Sequence, residues 1–206
     1  MRSKLKAFVL GHPLLTLIAL GTFAFGIHLT TVAHYPSGWF DEIEILEIGR
    51  TSIFNRFPEW SVILSPANDG VLHPLAPMFH YLAGFIQESL YRLTGSFVPS
   101  RIFFLFSLPV AALSLFGWLR SKAIPVSAAL PASLFLLLDP NATICAHWYR
   151  PDLWTTTLAF TAMTLLSGTR GDQTWRRSAA CLVAGILTAT MLFLWITSML
   201  LLPLIG

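Results

Sequence analysis

Charge is what this sequence has least of. Its 206 residues carry 13 Lys and Arg and 10 Asp and Glu, so charged side chains make up 11% of the chain against 55% apolar. A soluble domain of this length could not cover so much apolar surface with so few charges. Cysteine is scarce as well. Cys145 and Cys181 are the only two, and the topology derived below places them near opposite membrane faces, where no disulfide is expected. No His/Cys cluster has zinc-ligand spacing. His12, His28 and His34 have no partner that the spacing identifies, and His80 and His147 are equally ambiguous. No basic run is interleaved with aromatics, so nucleic acid is not an implied partner. Internal repeats, heptads and low-complexity tracts are also missing.

What the sequence has in quantity is apolar runs, with a mean hydropathy of +0.68. A spanning helix needs roughly 20 mostly apolar residues, and the chain offers five such stretches, at residues 8–33, 102–119, 126–138, 153–166 and 179–205. The third and fourth are short and must borrow flanking residues. Arg2, Lys4 and Lys6 ahead of the first run resemble the start of a signal peptide. The run then continues for roughly 25 residues, beyond an h-region of 7–15, with no small-x-small cleavage site after it. It reads as an uncleaved first span.

A sixth stretch, residues 75–93, has a different pattern. At about 100° per residue, Leu75, Phe79, Leu82, Ile86, Leu90 and Leu93 share one side, and His80, Gly84, Gln87, Glu88 and Tyr91 the other. Such a stripe suits a helix lying in the headgroup plane or packed along the membrane surface. The distribution of basic residues is an independent test. With 75–93 interfacial, Arg2, Lys4, Lys6, Arg120, Lys122, Arg170, Arg176 and Arg177 fall on the cytoplasmic side with one acid, Asp172, and the opposite side receives five basic residues and nine acids. The expected fold is therefore an all-α integral membrane protein of five spans with a cytoplasmic amino terminus. A long extracytoplasmic loop, residues 34–100, carries juxtamembrane helices at 41–56 and 75–93. That loop and the short connection from Asp139 to Asp152 share one compartment.

Two groups on that side could carry chemistry, and each also has a plain structural reading. Asp41-Glu42, after Trp39-Phe40, suits a helix start, where carboxylates complement the dipole. Arg150-Pro151-Asp152 suits one too, with Pro in the first turn and Arg150 reaching the headgroups. His73-Pro74-Leu75 reads equally as a polar turn. Asn141-Ala142-Thr143 matches a glycosylation triplet but lies close to the bilayer surface.

Taken in order and on one side, these features resemble the amino-terminal module of the GT-C membrane glycosyltransferases, which include protein O-mannosyltransferases and lipid A aminoarabinose transferases. The resemblance runs through a first span, the acidic pair Asp41-Glu42, a juxtamembrane helix at 41–56 and the Pro-Leu segment His73-Pro74-Leu75. It continues through a second juxtamembrane helix ending Leu93-Thr94-Gly95, Arg101 opening the next span, and Arg150-Pro151-Asp152 after Leu138-Asp139-Pro140. Family members commonly show two prolines after Lys or His where this chain has Leu72-His73-Pro74-Leu75. They also run to several hundred residues, so the chain is expected to be truncated at its carboxyl end.

The resemblance implies sugar transfer from a polyprenyl-phosphate donor to an acceptor hydroxyl of protein, lipid or polysaccharide, at the extracytoplasmic face of a bacterial plasma membrane. Asp41 would be the general base with Glu42 beside it. Arg150 and His73 would face the leaving phosphate, and Asp152 would orient Arg150, position the acceptor, or join Asp41 around Mg²⁺ or Mn²⁺. Two other functions fit the same chain. One is a non-catalytic subunit that binds lipid carriers. The other is a transporter or flippase subunit, disfavoured because the charges sit at helix ends rather than along a path.

Overall fold

The computed structural model describes residues 2–34, 76–147, 150–168, 174–194 and residue 203. Every regular element among them is a helix. In chain order they are α1 (Arg2–Gly11), α2 (Pro13–Leu29), α3 (Ala76–Thr94), α4 (Val98–Leu105), α5 (Ser107–Ser121), α6 (Val126–Leu138), α7 (Pro140–His147), α8 (Asp152–Gly168) and α9 (Thr174–Leu194).

Prolines set most of the breaks. The expected first span is divided at Pro13, which has no N–H to continue the ladder of α1 and instead opens α2. Between α4 and α5 the backbone of Phe106 stays helical (φ −62°, ψ −21°), so Val98–Ser121 forms one 24-residue span, about 36 Å long. Pro140 forces its predecessor Asp139 into an extended conformation (ψ 119°), and α6 and α7 meet at a 52° bend. The Asp139 carboxylate then accepts from the Asn141 N–H at 3.2 Å and caps α7. The segment between Asp139 and Asp152, read from sequence as a short connection, is thus largely helical.

Among the described residues two helices, Val98–Ser121 and Thr174–Leu194, are long and apolar enough to cross a membrane; the bent pair α6–α7 makes a third if it is one span. Pro13–Leu29 is apolar but shorter, at 17 residues. The short third stretch is α6 itself, Val126–Leu138, and reaches spanning length only if α7 continues it across the bend. The fourth stretch is α8, a 17-residue helix rich in threonine. Its hydroxyls return to the backbone: Thr155 and Thr156 donate to the carbonyl of Asp152, Thr157 to that of Leu153, Thr161 to that of Thr157 and Thr164 to that of Phe160. Each polar side chain is thereby satisfied without water.

α8 lies at the centre, packed between α5 and α9; α6 and α2 pack on α5, and α3 lies across α9 and α4. The interior combines small side chains, among them Ala83, Ala111, Ala112, Ala129, Ala146 and Ala162, with large ones such as Leu17, Phe104, Leu105 and Leu108. Many other large apolar side chains point outward: Phe23, Phe135, Leu138, Leu182 and Ile186 are exposed, Leu138 by 77%. Buried alanines let helices approach one another closely, as in lipid, and the bulky exposed side chains suit contact with it. In water the same surface would be an extensive aggregation site.

α3 adds a detail that periodicity did not give. Its polar stripe is turned into the protein: Ala83, Gly84, Gln87 and Glu88 are buried, whereas Phe85 and Leu93 are exposed. Glu88 tolerates this because Arg92, one turn on, meets its carboxylate at 2.7 Å. Gly95 (φ 68°) closes α3 with its N–H on the Tyr91 carbonyl, a left-handed position that glycine fills without strain.

Candidate functional site

Four helix ends converge at one pole of the bundle. Val32, just beyond α2, shares an apolar cluster with Leu105 of α4, Ala142 and Ala146 of α7, and Leu153 at the start of α8. Three sets of polar contacts attach to these ends, Arg150–Asp152, Arg101–Val32 and His28–Thr31–His147, spread over about 120 residues of sequence.

Arg150 and Asp152 flank Pro151 at the start of α8. Thr155 N–H donates to the Pro151 carbonyl at 2.9 Å, which starts the helix, and Asp152 in the first turn complements its dipole. The Arg150 Nε–H donates to Oδ2 of Asp152 at 3.0 Å, with side chains 31% and 29% exposed. At that exposure the pair contributes at most about 1 kcal/mol to folding, so its value lies in geometry: Asp152 takes Nε and fixes the plane of the guanidinium.

Arg101 comes from the first turns of α4. It is only 8% exposed and donates from a terminal guanidinium nitrogen to the Val32 carbonyl at 3.3 Å. The C-terminal carbonyls of α2 carry partial negative charge, so a cation there is electrostatically favoured. Beside it, Ser100 is fully buried, and its Oγ has no hydrogen-bond partner among the described residues.

His28 of α2 and His147 of α7 pack ring against ring, with centroids 4.8 Å apart at 80°. His147 Nδ1 lies 2.9 Å from the Thr143 carbonyl and Nε2 lies 3.4 Å from the Thr31 hydroxyl. Further round the pole, Trp154 stacks on Phe103 and donates to its carbonyl at 3.3 Å. An apolar groove of about 480 Å³ runs between α3 and α9, lined by Leu82, Ile186, Ala189, Thr190 and Phe193.

Of the residues singled out from sequence, Arg150 and Asp152 are brought together. Asp41, Glu42 and His73 lie outside the described residues, as does the helix expected at 41–56. Sequence reasoning missed the His28–His147 contact and the burial of Arg101. A spacing of three or four residues marks neighbours along one helix, but nothing in the sequence links position 28 to position 147. For a divalent ion, Asp152 is the only described member of the suggested pair, and among the described residues no group of three or more His, Cys, Asp or Glu gathers to hold one.

Among the described residues every regular element is a helix, and two helices, or three if the bent pair is one span, are long and apolar enough to cross a membrane. No family, curated protein or solved structure matches the chain.

Proposed function

We propose that the chain is a GT-C-like membrane glycosyltransferase module of five crossings, moving a sugar from a polyprenyl-phosphate donor to an acceptor hydroxyl at the extracytoplasmic face of a plasma membrane. The observation that carries this reading is the Arg150–Asp152 pair at the pole where α2 ends. Asp41 follows Val32 by nine residues, which span at most about 30 Å when extended, so the chain leaving α2 is long enough to bring Asp41 to that pair.

The chemistry needs one base and one anion clamp. As the acceptor oxygen attacks the anomeric carbon, its proton passes to the Asp41 carboxylate; the bond from that carbon to the phosphate oxygen breaks, and the electron pair leaves on the phosphate. A single displacement of this kind inverts the anomeric centre, and needs no second carboxylate nucleophile. Arg150, held through Nε by Asp152, aims its fork at the departing phosphate, with His73 as a second donor and Glu42 beside the base. The groove between α3 and α9 suits the isoprenoid tail because its lining is almost wholly apolar. Mg²⁺ or Mn²⁺, if held by Asp41 and Asp152, would neutralise charge on the phosphate.

The test is transfer of labelled sugar from a polyprenyl-phosphate donor in membranes containing the full protein. Asp41→Asn should lower the rate about 10²–10⁴-fold, the span typical of a general base, with unchanged expression. Near-normal transfer by that variant removes Asp41 as the base. Photo-crosslinking of a polyprenyl-phosphate analogue without any turnover would assign the chain to carrier binding instead.

A further inference from the structure

His147 is 4% exposed at the last turn of α7, three residues ahead of Arg150. Its ring joins two parts of the molecule. Nδ1 faces the Thr143 carbonyl at 2.9 Å; a carbonyl only accepts, so Nδ1 carries the hydrogen. Nε2, at the other corner, meets the Thr31 hydroxyl at 3.4 Å, a group able to give or take the hydrogen. The one Thr31 hydroxyl hydrogen is shared between Nε2 and the His28 carbonyl, 3.0 Å away, and the His28 ring stands across the His147 ring. One side chain on α7 therefore grips the last turn of α2 and the residues just past it. An apolar side chain could fill this space; the polar contacts specify one relative placement of the two helix ends.

That placement is transmitted to Arg150. Its backbone N–H donates to the Cys145 carbonyl at 3.1 Å, which ties Arg150 to the last turn of α7. On the α2 side, Val32 is the residue after Thr31 and is held by Arg101. We infer that His147 is a positioning residue: through Thr31 and His28 it pins the end of α7, and with it the Arg150 guanidinium, to the end of α2. The effect on a phosphate rests on the proposed function; the pin itself does not.

Two substitutions divide the ring's functions. His147→Gln places an amide where Nε2 lies, and His147→Asn places one where Nδ1 lies. Thermal unfolding of the full protein in detergent is compared for Thr31→Val, His147→Asn and the double variant. The pin requires that the double variant lose no more in Tm than the worse single, and that His147→Gln stay close to the parent. Equal and additive losses overturn it. Donor kinetics form the second arm. His147→Asn should raise KM for the polyprenyl-phosphate sugar roughly tenfold, the weight of one hydrogen bond to a charged group, with kcat nearly kept, and His147→Gln should restore it. Coupled unfolding with an unchanged KM overturns the positioning role. If the parent protein transfers no sugar, the failure belongs to the proposed function, and the unfolding cycle still decides the pin.

Discussion

Gly21 and Pro109 meet so closely that a Cβ built on Gly21 would lie 3.0 Å from the Cβ of Pro109. This is where α2 crosses α5, and the proline ring is too rigid to give way. A methyl group forced into packed space costs about 1–3 kcal/mol, against about 1 kcal/mol gained from replacing glycine by alanine within a helix. Gly21→Ala should therefore be net destabilising in detergent unfolding, and Gly21→Val more so. Gly26, on the same helix, has nothing within 4 Å of its built Cβ, so Gly26→Ala should stabilise. Equal effects at the two positions would mean that α2 and α5 do not touch there.

Ala123 is the one described residue other than glycine with a positive φ, at 61°. It closes α5: the Ile124 N–H reaches the Leu119 carbonyl at 3.1 Å, and Pro125 follows. An L side chain in this conformation costs about 1–2 kcal/mol, and glycine relieves it while adding freedom to the unfolded chain. Ala123→Gly should raise stability by about 0.5–1 kcal/mol, read as a higher unfolding midpoint. A lower midpoint would mean that the turn is not left-handed.

Asp139 caps α7 inside the bent pair rather than facing an open loop. Asp139→Ala should cost about 1 kcal/mol, whereas Asp139→Asn keeps a capping oxygen and should stay within a few tenths. If the two variants are equally destabilised, the carboxylate acts through its charge and not through the cap.

Legibility in the sequence followed the range of each signal. Composition and the length of the apolar runs were enough for the helical, lipid-compatible character of the described residues, because each sums over many positions. Proline marked the break at Asp139-Pro140 and glycine the close of α3 at Gly95, since each acts on its own backbone. The turn at Ala123 had no such mark. The division at Pro13 was hidden inside an apolar run that reads as one span. Of the pole, Arg150 and Asp152 were legible because they are two residues apart, and a cap signal joins them. The inward turn of Gln87 and Glu88, the seat of Arg101 on Val32 and the His28–His147 contact depend on which helices touch, and a single sequence does not encode that in any local pattern.

Arg150 carries the sharpest prediction about the site. Its Nε is engaged by Asp152, so a phosphate would be met by the far side of the same planar group. A lysine ammonium is a point charge on a flexible stem and cannot keep that geometry while reaching the phosphate. Arg150→Lys should then lose about 1.5–3 kcal/mol of binding to the phosphate, roughly a 10- to 150-fold fall in kcat/KM for the donor. Asp152→Asn leaves a carbonyl oxygen for Nε and should cost less than Asp152→Ala, which removes the Nε acceptor altogether. The check is donor kcat/KM across the four proteins, with Kd for a polyprenyl phosphate measured alongside. Should lysine serve as well as arginine while Asp152→Ala is silent, the pair at the start of α8 is a helix-end feature and the phosphate is bound elsewhere.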